Sequence, residues 1–224
     1  MKILYPVLEL AHQRALEILR PNDVAVDATV GNGNDTLLLA KAVGRGGLVY
    51  GFDIQETALS ITRQKLIHAG AVSQVRLIHD SHHKLDTVLP TALHGHVRVV
   101  QFNLGYLPGG DRAISTRADT TVKALDCALR VLKPGGLLSI VAYTGHPEGA
   151  KETEELQRWL HALPRMRTQL WKSPPRPERN HPPQLFLVYK GAPHRIITRL
   201  VRRWLQTRTS RANVQKIQRN LGLS

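Results

Sequence analysis

Cysteine is almost missing from this chain: Cys127 stands alone among 224 residues. One thiol cannot close an intramolecular disulfide, and no second exists for a Cys-rich structural zinc site, so a reducing, cytoplasmic setting is expected. Long apolar runs are missing too. No stretch of about 18 apolar residues occurs, and the opening MKILYPVLELAHQRALEILR lacks the basic-then-apolar order of a secretory leader. The expectation is a protein neither exported nor embedded in a membrane. Glycine and proline, at 17 and 13 residues, are too few for a collagen-like chain, and 42% apolar with 21% charged residues excludes a wholly disordered one. No internal repeat is visible. The length fits one compact domain with an appendage.

Acidic residues are also scarce. Lys and Arg number 31 against 17 Asp and Glu, a formal charge of +14 that favours polyanionic partners, nucleic acid ahead of an anionic membrane surface. The excess is uneven. No carboxylate follows Glu178, and from Ala192 onward eight Lys or Arg stand unopposed, so the tail carries +8 and residues 1–191 the other +6.

Short β-rich runs alternate with stretches of helical period. VAVDATVG (24–31), GLVYGFDI (47–54), VRLIHD (75–80), VRVVQFNL (97–104) and LLSIVAYT (137–144) read as strands. Between them NDTLLLAKAVG, ETALSITRQKLIHAG and DTTVKALDCALRVLKPGG read as helices ending in glycine, the last with Leu125, Leu129 and Leu132 on one stripe. This order predicts an α/β, doubly wound, Rossmann-like parallel sheet. After helix EGAKETEELQRWLHAL, the runs RTQLWK and QLFLVYKG predict a closing antiparallel pair, making seven strands; SPPRPERNHPP between them, with five prolines, must be a loop. The first twenty residues predict an amphipathic helix capping the sheet. Residues 1–191 would form the main domain and 192–224 a basic helical extension, its apolar face holding Ile196, Leu200 and Trp204.

The stretch Asp27-Ala-Thr-Val-Gly31-Asn32-Gly33-Asn34-Asp35-Thr36 is a strand entering a glycine turn and then a helix, where a doubly wound sheet binds a nucleotide-like cofactor. Its sixth position is Thr36, so the dinucleotide fingerprint is only partly met. A carboxylate at Asp35 would repel a pyrophosphate drawn to the helix end, which argues against NAD and a dehydrogenase. A cofactor with cationic groups and no phosphate suits Asp27 and Asp35 better, and S-adenosylmethionine (SAM), with its ammonium and sulfonium, is such a molecule. Asp53, 22 residues after Gly31, has the spacing of a carboxylate that accepts both ribose hydroxyls. Gln55 follows it, and Ser81 and His82 follow the third strand, where an adenine edge is read. Helix capping alone would account for Asp35, but not for its company with Gly31, Gly33 and Asp53.

Taken in order, DATVGNGNDT, DSHH, NLGYLPGGD, YTGHPEG and NHPPQL resemble the bacterial rRNA methylase family of class I SAM-dependent methyltransferases. The likeness spans residues 3–191, leaving the tail outside it. It implies SAM contacts by Asn32, Asn34, Asp53, Gln55, Ser81 and His82, and RNA contact by the loop around Tyr106. It further implies methylation of the amine of 5-aminomethyl-2-thiouridine at tRNA wobble position 34, in the anticodon region.

Asn103-Leu104-Gly105-Tyr106 closes the fourth strand at the position of the [DN]-P-P-Y loop of amino-group methyltransferases. In that loop a side-chain oxygen accepts hydrogen bonds from the target nitrogen while the ring stacks on the base, roles that Asn103 and Tyr106 fit. Leu-Gly in place of Pro-Pro disfavours a planar adenine and leaves room for a flexible aliphatic amine. Asp111, Tyr143 and His146 lie on neighbouring loops as candidate bases or substrate contacts. Arg112, Arg117, Arg176, Arg179, Asn180, His181 and the tail arginines are candidate RNA contacts. His82-His83 suggests a metal, but adjacent residues rarely aim at one ion, and no metal is expected. An rRNA substrate, a small-molecule or protein N-methyltransferase, and a non-catalytic RNA-binding protein remain as alternatives. The oligomeric state stays open, a homodimer included.

Overall fold

A computed structural model describes residues 6–111, 113–164, 168–173 and 182–191. Seven strands form one sheet in the order β3-β2-β1-β4-β5-β7-β6: β1 (Val24–Asp27), β2 (Leu48–Asp53), β3 (Val75–His79), β4 (Val97–Leu104), β5 (Leu132–Ala142), β6 (Thr168–Lys172) and β7 (Gln184–Lys190). The first five pair in parallel, and β7 is antiparallel to both β5 and β6. The expected seven-stranded α/β sheet with an antiparallel last pair is therefore present.

Helices cover both faces. Neighbouring strand residues alternate between two cores: Val26, Val100 and Ile140 face one, while Ala25, Val99 and Val141 face the other. The first core is closed by α4 (Leu85–Val88), α5 (Ala118–Val131) and α6 (Pro147–Ala162), through Leu85, Leu125 and Leu156. The second lies under α1 (Pro6–Ile18), α2 (Asn34–Val43) and α3 (Glu56–His68), through Ala15, Leu39 and Leu66. Burial on both sides is why the strands read as near-continuous apolar runs. The N-terminal helix caps the sheet as its pattern predicted.

One boundary differs from the periodicity. The α5 stripe was expected to run through Leu132 to the glycines, but the helix stops at Val131, and Leu132 turns to ψ 138° as the first residue of β5. Pro134 disfavours helical backbone at Lys133 and offers no N–H, so the chain leaves the helix early. The cost falls on register: Val97 pairs with Leu132 but Val99 with Leu137, and the Lys133–Gly136 segment bulges out. Strand order reverses at β1, between β2 and β4. A crevice opens at that point, beyond the strands' carboxyl ends.

Candidate active site

The glycine turn is held from beneath and from the side. Gly31 and Gly33 adopt φ of 50° and 70°, and a Cβ on Gly33 would sit 2.4 Å from the Thr62 hydroxyl of α3, so that position must be glycine. The Gly31 N–H donates to Asp53 Oδ2 (2.8 Å), and the Gln55 N–H donates to Asp53 Oδ1 (2.9 Å). Lys65 of α3 donates to the Asn32 carbonyl and to Asn34 Oδ1 (2.6 Å), tying the turn to its neighbouring helix. Across the crevice Asn32 Nδ2 reaches the Pro108 carbonyl (3.3 Å), linking the glycine turn to the loop after β4.

A cleft of about 2050 Å³ runs from this turn to Tyr106 and His146. Gly31, Asn32, Asn34 and Asp35 line it, with Asp53, Gln55, Ser81 and His82 along one wall. Asn103, Tyr106, Arg117, Tyr143 and His146 line the other end. Sequence reasoning thus gathered most of its candidates into one place. Asp27, Gly33 and Thr36 are not at its surface: Asp27 is fully buried under the turn, accepting from the Thr36 hydroxyl (2.6 Å) and the Thr29 N–H (3.2 Å). Burial, with the charge of Asp35 added, pushes the Asp27 carboxyl up. It is a support for the turn and cannot meet a cofactor directly. Asp111 also lies off the cleft, exposed and accepting the Ala113 N–H (2.8 Å). Arg112, Arg176, Arg179, Asn180, His181 and the tail lie outside the described residues.

Asp35 is arranged differently from the expectation. Its carboxylate is buried and committed to protein partners: His12 at Oδ1 (2.7 Å), and the amide nitrogens of Gln101 (2.8 Å) and Asn103 (2.7 Å) at Oδ2. Burial opposes its ionisation, but the charge and hydrogen bond of His12 and the two amides outweigh that and hold its pKa below the ordinary carboxylate value. With His12 opposite, little net negative charge meets the helix end, so repulsion of an anion by Asp35 loses most of its force.

At the rim of β4 the Asn103 N–H donates to Thr29 Oγ1 (2.7 Å), and its side-chain Oδ1 is buried with no hydrogen-bond partner. Since the ionised Asp35 carboxylate can only accept, it must face the Asn103 nitrogen, which leaves the amide oxygen as the side without a partner. Tyr106 stands edge-to-face with His146, ring centres 5.6 Å apart, and His146 Nε2 is likewise buried and unpartnered. His82 packs edge-on against Phe102, and burial pushes its imidazole down to about 4, so it is neutral at pH 7 with Nε2 as a free acceptor. Among the described residues no group of three metal-ligating side chains occurs.

Sequence reasoning missed Glu152. It sits on the buried stripe of α6 with Leu156 and Leu160, and accepts from Thr116 (2.7 Å) and Thr121 (2.5 Å), while Thr116 Oγ1 takes the Gly105 N–H (2.8 Å). A carboxylate on an apolar i, i+4 stripe was the readable signal. Glu152 latches the Tyr106 loop to α6. Burial raises its pKa, against its threonine partners and His146. The native state therefore binds this proton more tightly than the unfolded chain, and stability falls as pH rises from the ordinary Glu value through the raised one. Glu152→Gln is expected to flatten that fall, whereas Glu152→Leu strands two hydroxyls and costs about 1–3 kcal/mol. Denaturant melts at pH 5 and 8 read both; a Leu variant as stable as wild type rejects the latch.

Residues 49–189 match the rRNA_methylase family model, described as "Putative rRNA methylase". The chain belongs to this rRNA methylase family. Two solved structures superpose closely: a "putative rRNA-methylase" from Clostridium thermocellum (TM-score 0.79, 37% identity, 85% of this chain and 100% of that one) and a "putative methyltransferase" from Streptococcus mutans in complex with SAH (TM-score 0.73, 34% identity, 84% and 99%). The chloroplastic tRNA (mnm(5)s(2)U34)-methyltransferase of Arabidopsis thaliana is 43% identical over 164 residues, 70% of this chain and 59% of the relative. A ubiquinone/menaquinone biosynthesis C-methyltransferase of Hydrogenovibrio crunogenus is 29% identical over 133 residues, 59% of this chain and 47% of the relative. The chain thus spans about half the length of these curated relatives. The fold of this rRNA methylase family protein is that of SAM-dependent methyltransferases, and no helix among the described residues is long and apolar enough to cross a membrane.

Proposed function

We propose that this protein is a SAM-dependent methyltransferase that methylates the amine of 5-aminomethyl-2-thiouridine at wobble position 34 of tRNA, giving the methylaminomethyl form. The buried, unpartnered Asn103 Oδ1 at the cleft rim carries the reading. An acceptor fixed there suits a target that brings its own N–H groups, and an unpaired buried acceptor is costly unless a ligand satisfies it. The 43% identity to a tRNA (mnm(5)s(2)U34)-methyltransferase supports the substrate, and the similar Streptococcus mutans methyltransferase in complex with SAH supports the cofactor.

Bound SAM supplies an electrophilic methyl on a sulfonium. Asp53 braces the Gly31 turn with its two oxygens, and each keeps a lone pair for a ribose hydroxyl. Neutral His82 offers Nε2 as an acceptor on the same wall. Asn103 Oδ1 accepts an amine N–H, which aims the nitrogen lone pair, and Tyr106, steadied by the His146 ring, offers a stacking face for the splayed base. His146 Nε2 is a second unpartnered polar atom at this end of the cleft. At about 2050 Å³ the cleft has room for a nucleotide beside the cofactor, since small-molecule sites run to roughly 1,000 Å³. Residues 192–224, with eight basic side chains and no acidic one, would add phosphate affinity. A reducing compartment holding tRNA, such as the cytoplasm, suits the single cysteine, which is buried.

The test is transfer of labelled methyl from SAM to tRNA from cells lacking the protein, with nucleoside mass spectrometry. One methyl gained on aminomethyl-thiouridine is the expected result. Label in ribosomal RNA and none in tRNA overturns the substrate.

A further inference from the structure

A half-buried asparagine has two faces of opposite polarity, and something must decide which one a ligand meets. For Asn103 the decision rests on Asp35: an ionised carboxylate takes only N–H groups and so claims Nδ2, whereas a protonated one can donate to Oδ1 and release the amide to flip. A flipped Asn103 would turn N–H groups toward the cleft and repel an amine's hydrogens. The charge on Asp35 therefore sets whether the rim accepts or donates.

That charge is under pressure. Asp35 is 6% exposed, and Asp27, fully buried on β1, interacts with it as a like charge. The nearest cation is His12, 4% exposed on α1, its Nε2 2.7 Å from Asp35 Oδ1. It lies on the apolar stripe of α1 with Leu8, Ala11 and Ala15, where a histidine has no packing advantage over an aliphatic residue. We propose that His12 is a positioning residue that keeps Asp35 ionised and so fixes Asn103 with its oxygen toward the substrate amine. The inference rests on the reading of Asn103 Oδ1 as the amine acceptor. The electrostatics agree: burial opposes charge on His12, but Asp35 on α2, Glu9 on α1 and Asp27 on β1 together raise its pKa. Strand β4 faces the pair with the neutral amides of Gln101 and Asn103, and Tyr189 of β7 lies instead by Arg14 and Glu17, further along α1.

The sign of the pH effect follows. The raised His12 pKa keeps the cation up to pH values above its ordinary one, and the depressed Asp35 pKa keeps the anion below its ordinary one, so the pair persists across the neutral range. Without His12, burial opposes the Asp35 charge with only the Asn103 and Gln101 amides against it, so its pKa should rise. His12→Ala should then add an acid limb to single-turnover methyl transfer. Its rate relative to wild type should fall as pH drops, by about tenfold for each pH unit below the raised Asp35 pKa. His12→Gln, which keeps an N–H for Asp35 without the charge, should fall between the two.

The second readout needs no cofactor. In the ligand-free, full-length protein the ¹³C shift of the Asp35 carboxyl should report an anion at pH 7 in wild type and a titration moved upward in His12→Ala, with the Asn103 side-chain ¹⁵N–¹H resonances changing in step. A merely structural histidine would lower the melting temperature equally at both pH values and leave the Asp35 titration in place. An unmoved Asp35 titration, or a flat rate ratio while Asn103→Ala is inactive, overturns the inference on His12 alone. Should Asn103→Ala turn over at the wild-type rate, the reading of the acceptor falls instead, and the carboxyl titration still reports whether His12 holds the charge.

Discussion

Asn103→Ala is expected to bind SAM with near wild-type affinity and to lose about 10²–10³-fold in single-turnover methyl transfer, the range for removing one preorganised hydrogen-bonding group from a reacting centre. The split between binding and rate follows from position. Asn103 stands at the end of β4, facing the substrate end of the cleft, while the braced turn and Asp53 belong to the neighbouring strands β1 and β2. Removing the amide takes one donor from Asp35, but Gln101 and His12 still hold that carboxylate, so the fold should survive. Transfer to an aliphatic amine depends on the direction of the nitrogen lone pair, and an acceptor for its N–H groups fixes that direction. Rapid-quench transfer to tRNA beside calorimetry of SAM binding separates the two effects. An unchanged single-turnover rate removes Asn103 from the site.

Asp53→Ala is expected to weaken SAM binding by at least roughly 100-fold, because two charge-assisted hydrogen bonds to a ribose contribute about 1.5–3 kcal/mol each. The variant suffers twice. Asp53 also accepts the Gly31 and Gln55 N–H groups, so its loss frees the turn as well as the sugar contact. Asp53→Asn distinguishes the roles: it keeps one acceptor oxygen, places an N–H opposite one of those donors, and should recover part of the affinity. Calorimetry checks both variants, with circular dichroism to verify the fold. Wild-type affinity in Asp53→Ala would falsify the ribose assignment.

The sheet was legible in the sequence because both of its faces are buried. Burial on two sides makes strands into near-continuous apolar runs, and VRVVQFNL appears in the structure as β4 with the same ends. Local chemistry also marked the glycine turn, since Gly31, Asn32, Gly33 and Asn34 adjoin in the chain and their backbone conformation is a local property. Asp53 was legible for a similar reason, β2 being the strand that pairs with β1. The end of α5 was misread where periodicity and Pro134 disagreed, and proline won through its missing N–H.

What the sequence by itself determined, then, was the architecture, the position of the crevice and the residue types along its rim, all set by patterns within one element or between sequential ones. Only the tertiary structure decided how the charges are shared. His12, Asp35, Gln101 and Asn103 come from three elements far apart in the chain, and meet because α1 packs across α2 and β4. No spacing rule foretells such a cluster. Once water is excluded, Asp35 must find partners, and the partners it finds determine that the Asn103 nitrogen is taken while its oxygen is left without one.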